Sequence, residues 1–264
     1  MTLAVALQRC RHLGAVLFNL DFLGPIRAAE IERVVPFFRA GARILEIGAG
    51  TGQQAREIAR RGFNVAAIEI SSSGYRDARI FPVIDYDGRH IPFPDASFDI
   101  VFSSNVLEHV PDLPQLDREI LRVLRPGGYC VHVMPTHSWR FWTMLTLVPA
   151  AVEYALAGGE AQRPQPATAN GSPKSLFYKL RRHFGRHGEH GTLFSEHWLF
   201  HPSRWRRAFR ADGFEIIEEK PLGIFYTGNL LLGVHLPVAW RESMAKLMGS
   251  ACHLYVIKPA LPHR

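Results

Sequence analysis

Residues 43–53 read RILEIGAGTGQ, a short apolar run that passes directly into a glycine-rich turn. The run, residues 43–47, has the length and composition of a buried strand. Gly48, Ala49, Gly50, Thr51 and Gly52 form the turn, and residues 53–61 continue as a helix-like segment. Strand, glycine turn and helix in that order open a nucleotide-binding α/β unit. Glycines at such a turn let the chain reverse tightly and let a ligand approach the backbone where a Cβ would intrude.

The spacing separates two ligand classes. A dinucleotide fingerprint reads G-x-G-x-x-G and seats a pyrophosphate at the helix N-terminus. Here the third glycine comes one residue early, at Gly52, and an acid, Glu46, stands two residues before the first. A carboxylate there repels a pyrophosphate but suits a ligand carrying an ammonium and a sulfonium. Both features argue against a nicotinamide-dependent oxidoreductase. Downstream, residues 65–70 form a second apolar run with Glu69 at its end, about twenty residues past the turn, where a ribose-binding acid belongs. A carboxylate accepts two hydrogen bonds from a vicinal diol. Residues 87–93 read DGRHIPF, residues 97–101 SFDIV, residues 103–110 SSNVLEHV and residues 125–128 RPGG.

Five segments in this order, between residues 43 and 134, resemble those of class I S-adenosylmethionine (SAM)-dependent methyltransferases, and the L-P-F-like and L-E-H-V pieces resemble the type 11 branch, which acts on small molecules and in lipid pathways. The resemblance covers about a third of the chain. It implies a Rossmann-like, seven-stranded, mostly parallel sheet with helical insertions after strand 5 and between strands 6 and 7. It implies SAM as cofactor, held by Glu46, Gly48, Ala49, Gly50, Gly52, Glu69, Ile70, Asp87, Gly88 and Asn105, with Asp87 on the adenine amino group. A non-catalytic SAM-binding partner subunit is the competing reading. The intact glycine loop with all three acids argues against it.

The rest of the chain fits one α/β domain. Residues 1–42 supply N-terminal helices, 43–134 the SAM-binding core, 135–212 an acceptor-side insertion, and 213–264 the last two strands with an apolar insertion. Strands are expected at 43–47, 64–69, 80–84, 99–103, 128–134, 213–217 and 253–258; for the first five, alternation with helical stretches predicts a parallel sheet. Ligands then bind at the carboxyl ends of the strands. Residues 2–22 carry Arg9, Arg11 and His12 in mid-segment, the reverse of a signal peptide's order, and read as a helix over the cofactor cleft. Residues 26–38 read as a second helix.

Three scattered cysteines, Cys10, Cys130 and Cys252, give neither a disulfide framework nor a zinc pattern and suggest a cytoplasmic setting. Residues 158–173 have the composition of a mobile loop. Residues 174–210 hold nine Lys or Arg against two acids, an excess equal to the +7 of the whole chain, together with five histidines. Such a basic stretch fits a solvated face, an anionic acceptor or peripheral contact with an anionic membrane. No nucleic-acid-binding module is recognisable. The apolar tracts 141–157 and 222–240 are interrupted by Pro149, Glu153, Asn229, His235 and Pro237 and do not read as membrane spans. The acceptor is expected to be a small molecule or one linked to a glycan or lipid.

A methyl transfer to a hydroxyl benefits from a general base. His109, after strand 4, and His137, after strand 5, occupy positions from which a base could act. His183, His187 and His190 sketch H-x3-H-x2-H, but glycines and arginines surround them, so no metal site is expected there.

Overall fold

The computed structural model describes residues 22–156, 187–192 and 194–260. The expected N-terminal helix lies almost wholly outside these residues. So do the loop 158–173, Cys10, His183, Arg181, Arg182 and Arg186.

Seven strands form one sheet: β1 (Arg43–Ile47), β2 (Asn64–Ile70), β3 (Ile84–Tyr86), β4 (Phe98–Ser104), β5 (Leu124–Pro135), β6 (Phe214–Pro221) and β7 (Cys252–Pro259). Their order is β3-β2-β1-β4-β5-β7-β6, with β7 antiparallel to both its neighbours and the others parallel. The helices are α1 (Leu23–Val34), α2 (Gln53–Arg60), α3 (Leu113–Val123), α4 (His137–Leu156), the single turn α5 (Glu196–Leu199), α6 (Pro202–Ala211) and α7 (Val238–Met248). The strand order reverses between β1 and β4, so the crevice above their carboxyl ends is the expected ligand position.

Alternation along the strands divides the core. Ile44, Ile100, Val131, Leu254 and Val256 face one cluster, with Ile26, Ile31 and Val34 of α1. Leu45, Ile47, Val101, Tyr255 and Ile257 face the other, with Leu116 and Ile120 of α3 and Trp205 and Phe209 of α6. Helices cover both faces, as an α/β sheet requires.

Three strand boundaries differ from expectation, one of them the end of the sixth strand, which runs on to Pro221 rather than residue 217. The third strand begins at Ile84 rather than at residue 80. Pro82 has no N–H for a ladder, and the preceding residues turn over the glycine loop instead, with Ile80 N donating to Thr51 O at 2.8 Å. The fifth strand starts at Leu124, because Leu124 already pairs with Phe98 before the glycine turn bulges out and pairing resumes at Tyr129–Ile100. Gly127, at φ 79°, supplies the left-handed residue of that bulge.

The tract 222–240 is largely core. Leu222, Ile224, Tyr226 and Leu230 pack in the α1 cluster. Its far end is pinned by Arg241, whose buried guanidinium donates to Leu236 O and Gly233 O at 2.9 Å. Tyr226 OH donates to Glu30 at 2.8 Å. Among the described residues, no helix is long and apolar enough to cross a membrane. Cys130 and Cys252 are buried free thiols.

Candidate active site

The glycine turn is fixed by hydrogen bonds to the second strand. Gly48 N and Ala49 N both donate to Ile68 O, at 2.9 and 3.0 Å, and Gly52 N closes the turn on Ala49 O at 2.7 Å. Gly48, at φ 72°, has no room for a side chain, since a Cβ would lie 2.4 Å from Val106 Cγ2. Gly50, at φ 55°, is different: a Cβ would rest 3.6 Å from the Tyr75 ring, an ordinary contact. Its requirement is therefore conformational and leaves its outer face open.

Two carboxylates stand below this turn. Glu69, at the end of β2, accepts from Gly50 N at 2.6 Å and from Ile70 N at 3.0 Å. Glu46, in β1, is 1% exposed, and its Oε2 has no hydrogen-bond partner among the described residues. Burial pushes its pKa up to about 8, opposed by a hydrogen bond from the Ala55 backbone and reinforced by the nearby Glu69 charge. A buried acid in this state keeps its proton near neutral pH unless a cationic partner joins it.

Ile70 and Tyr75 are both over two-fifths exposed, although apolar side chains usually avoid that at a strand end. They stand beside the turn, Tyr75 against Gly50 and Ile70 against Gly88. Tyr75 is absent from the sequence-derived set. Its only signal is an aromatic a few residues past the strand-ending acid. Asp87 is exposed and accepts from the backbone N–H of Arg89 and His90, both at 2.7 Å, and its Oδ2 meets His90 Nδ1 at 3.1 Å. Those backbone bonds, led by the one from His90, hold its carboxyl well below the usual range. Asn105 takes a left-handed φ of 55°, with its N–H on Val133 O. Its Oδ1 accepts from the Cys252 thiol at 3.4 Å.

The two candidate bases go to different places. His109 ends the 3-10 turn Leu107–His109, just past Val106, whose side chain abuts Gly48. Its ring lies 4.7 Å from that of His187, which belongs to the 135–212 insertion. Between them is Glu108, 5% exposed, with both carboxylate oxygens unpartnered among the described residues. Burial lowers the His109 pKa, against the raising effect of Glu108. His137, at the start of α4, instead faces His201 and His197 at ring distances of 5.0 and 5.6 Å. Burial lowers its pKa, and the two neighbouring imidazoles lower it further.

Residues 187–189 are clamped onto the 3-10 turn. Glu189 N donates to Glu108 O at 2.8 Å. His187 N and Gly188 N donate to buried Glu196 at 2.5 and 2.6 Å, and Glu196 is paired with Arg140 at 2.7 Å. A Cβ on Gly188 would lie 2.8 Å from Glu108 O, so only glycine permits this approach. A cavity alongside is lined by Leu107, Glu108, Gly188, His190, Phe200 and Arg204. Glu108, Arg140, His187 and Glu196 are not among the site residues expected from sequence, and of the H-x3-H-x2-H run His183 lies outside the described residues.

Residues 45–132 match the model of the type 11 methyltransferase domain. They are a class I SAM-dependent methyltransferase domain. The chain is 37% identical over 103 residues to the 27-O-demethylrifamycin SV methyltransferase of Amycolatopsis mediterranei, covering 34% of this chain and 37% of that protein. It is 31% identical over 150 residues to the ubiquinone biosynthesis O-methyltransferase of Xanthomonas oryzae pv. oryzae, covering 53% and 58%. The chain thus spans less than two thirds of either relative. In fold it is similar to an S-adenosylmethionine-dependent methyltransferase structure from Mesorhizobium loti, with a TM-score of 0.51, 16% identity and coverage of 87% and 96%. The matched stretch ends within β5, at residue 132.

Proposed function

We propose that this protein transfers a methyl group from SAM to a small-molecule, glycan or lipid-linked acceptor. The observation that carries the reading is Glu46. A buried carboxylate with one oxygen unpartnered among the described residues, under an open glycine turn and with Glu69 beside it, fits a ligand that is cationic at one end and carries a diol at the other. Glu46 would hold the ammonium and Glu69 the ribose hydroxyls. The exposed faces of Ile70 and Tyr75 would flank the base, and Asp87 would meet its amino group. SAM supplies a methyl group on a sulfonium, already activated for attack. The chain's own task is alignment, exclusion of water and removal of the acceptor's proton.

The cluster of Glu108, His109 and His187 is the better candidate for that last task. It adjoins the glycine turn through Val106, whereas His137 is engaged with a separate set of imidazoles. The names of the two relatives, a rifamycin-type and a ubiquinone-pathway methyltransferase, support an oxygen acceptor on a small or amphiphilic molecule. Phe141, Leu145 and Val148 form an exposed stripe on α4, and residues 174–210 carry the basic excess. Together they favour an amphiphilic acceptor reached at an anionic bilayer.

Titration calorimetry with SAM and with a nicotinamide dinucleotide tests the cofactor, and labelled-methyl transfer to acceptor panels tests the activity. Saturable binding of SAM alone is expected, and binding of the dinucleotide instead would overturn the reading. Co-sedimentation with anionic vesicles, weakening with salt, is expected for the bilayer; no sedimentation at low salt would remove that part.

A further inference from the structure

Glu108 poses a problem that the methyl-transfer reading leaves open. Its carboxylate is buried at the floor of the acceptor edge, and neither oxygen accepts a hydrogen bond from any described residue. The closest positive candidates are His109 Nε2 at 3.7 Å and His187 Nε2 at 3.8 Å, both measured to Oε1. Both separations exceed a hydrogen bond. A buried carboxylate without donors is destabilising unless a cation completes it.

We propose that Glu108, His109 and His187 bind a divalent first-row transition-metal ion of the zinc class. One ligand atom from each residue lies within 4.8 Å of the other two. Metal–ligand bonds of about 2.0–2.2 Å at tetrahedral angles separate neighbouring ligands by roughly 3.3–3.5 Å, so the two Nε2–Oε1 gaps need to close by only a few tenths of an ångström. Two imidazoles and one carboxylate select this class of ion over magnesium or calcium, which prefer all-oxygen shells. Three protein ligands also leave a coordination position free, as catalytic sites do. The side chains of His109 and His187, 42% and 36% exposed, open that position toward solvent, while Glu108 is enclosed beneath.

The surroundings are built to hold this geometry. Trp139 packs on the His187 ring at 4.7 Å. The Glu189 N–H on Glu108 O and the Glu196 carboxylate on residues 187 and 188 fix the backbone on both sides. The missing Cβ of Gly188 permits the contact. The site differs from the H-x3-H-x2-H run, with which it shares only His187. If the cluster lies at the acceptor side, as the proposed function has it, an acceptor hydroxyl in the open position would lose its proton to solvent more readily, because a bound cation lowers the pKa of a coordinated oxygen.

The test is equilibrium dialysis of the tag-free, chelator-stripped full chain against Zn2+, read by elemental analysis, with Co2+ substitution read by its visible spectrum. One ion per chain is expected, with a Co2+ spectrum of mixed nitrogen and oxygen ligation. His187→Gln and His109→Gln should each weaken binding at least tenfold. Glu108→Gln should do the same while preserving the fold, since it removes an uncompensated buried charge. His201→Gln should leave binding unchanged. No stoichiometric Zn2+ uptake overturns the proposal, and so does uptake that survives all three ligand variants. SAM calorimetry on the same samples separates the two ideas: intact SAM binding without Zn2+ removes the ion and leaves the methyltransferase reading standing.

Discussion

Around the glycine turn, the interacting groups lie close together in the chain. Gly50 N reaches a carboxylate nineteen residues on, and Gly48 N reaches the carbonyl just before it. Around Glu108, the partners all come from the 135–212 insertion: His187 and Glu189 on the 3-10 turn, Glu196 under both, and Arg140 from α4. In the proposed function, the first region would recognise its ligand largely through backbone shape, which needs only a strand, a turn and the next strand. The second is made of side chains from elements that meet only after the sheet has formed. Cofactor chemistry can therefore stay fixed while the acceptor edge is rebuilt by changing the insertion.

The sharpest way to break this contrast is at Gly50. Gly50→Val is expected to abolish SAM binding while leaving a folded protein. The space beside Gly50 is open apart from the Tyr75 ring, and the cost is confined to a left-handed φ of 55°. Calorimetry and thermal melting check both halves. Normal SAM affinity in this variant would mean that the ligand does not lie on the turn.

On the acceptor edge, His109→Gln is expected to lower kcat by about 10²–10⁴ with little change in SAM affinity. His137→Gln should lower it by less than about tenfold, since His137 meets His197 and His201 rather than Glu108. Single-turnover rates with saturating SAM distinguish the two. The reverse order would move the acceptor to the α6 side of β5.

These two histidines also mark how far the sequence is legible. Period-two apolar runs and glycine spacing located six of the seven strands within a few residues, because each feature is local. The third strand was misplaced since Phe81 and Val83 look strand-like but lie over Gly52. The acids proposed for the cofactor stand where the sequence puts them, Glu46 within β1, Glu69 near the end of β2 and Asp87 just past β3. The Glu108–His187 meeting was not legible, because no periodicity relates a residue just after strand 4 to one deep in the 135–212 insertion. The clue was present, however: Gly188 beside His187, and an acid beside His109.

Glu46 tests the cofactor edge by pH. Its folded pKa of about 8 lies above the ordinary 4.5, so the folded protein holds this proton where the unfolded chain has lost it. Its burial therefore lowers stability progressively as pH rises from about 4.5 to 8 and leaves stability unaffected below that window. Glu46→Gln should raise the Tm of the ligand-free protein at pH 8 and change it little at pH 4. The same variant should weaken SAM binding, as the ammonium loses its counter-charge. Calorimetry at pH 7 in buffers of different ionisation enthalpy should detect proton release when SAM binds wild type, and none for Glu46→Gln. An unchanged Tm at pH 8 would mean that water or another group already completes Glu46.

The smallest effect separates the two remaining acids. Glu69 is nearly enclosed and contributes twice, by accepting from Gly50 N and by offering its free lone pairs to a diol. Loss of a charge-assisted acceptor is worth roughly 1.5–3 kcal/mol, so Glu69→Ala should weaken SAM binding by about 10- to 150-fold. Asp87 has already committed one oxygen to two backbone N–H groups of its own turn, and it stands in solvent, where water competes for the other. A hydrogen bond to a carboxylate screened by solvent in that setting is worth only about 0.5–1.5 kcal/mol, and Asp87→Ala should weaken SAM binding only about two- to tenfold. Asp87→Asn should lose less, because an amide oxygen still accepts from Arg89 and His90 and keeps the turn in shape. If Asp87→Ala instead matched Glu69→Ala, the turn at residues 87–90 would have to reorganise on binding and release its carboxylate to the adenine. Comparing SAM with an analogue lacking the adenine amino group would show it: the analogue should lose affinity for wild type and lose nothing further in Asp87→Ala.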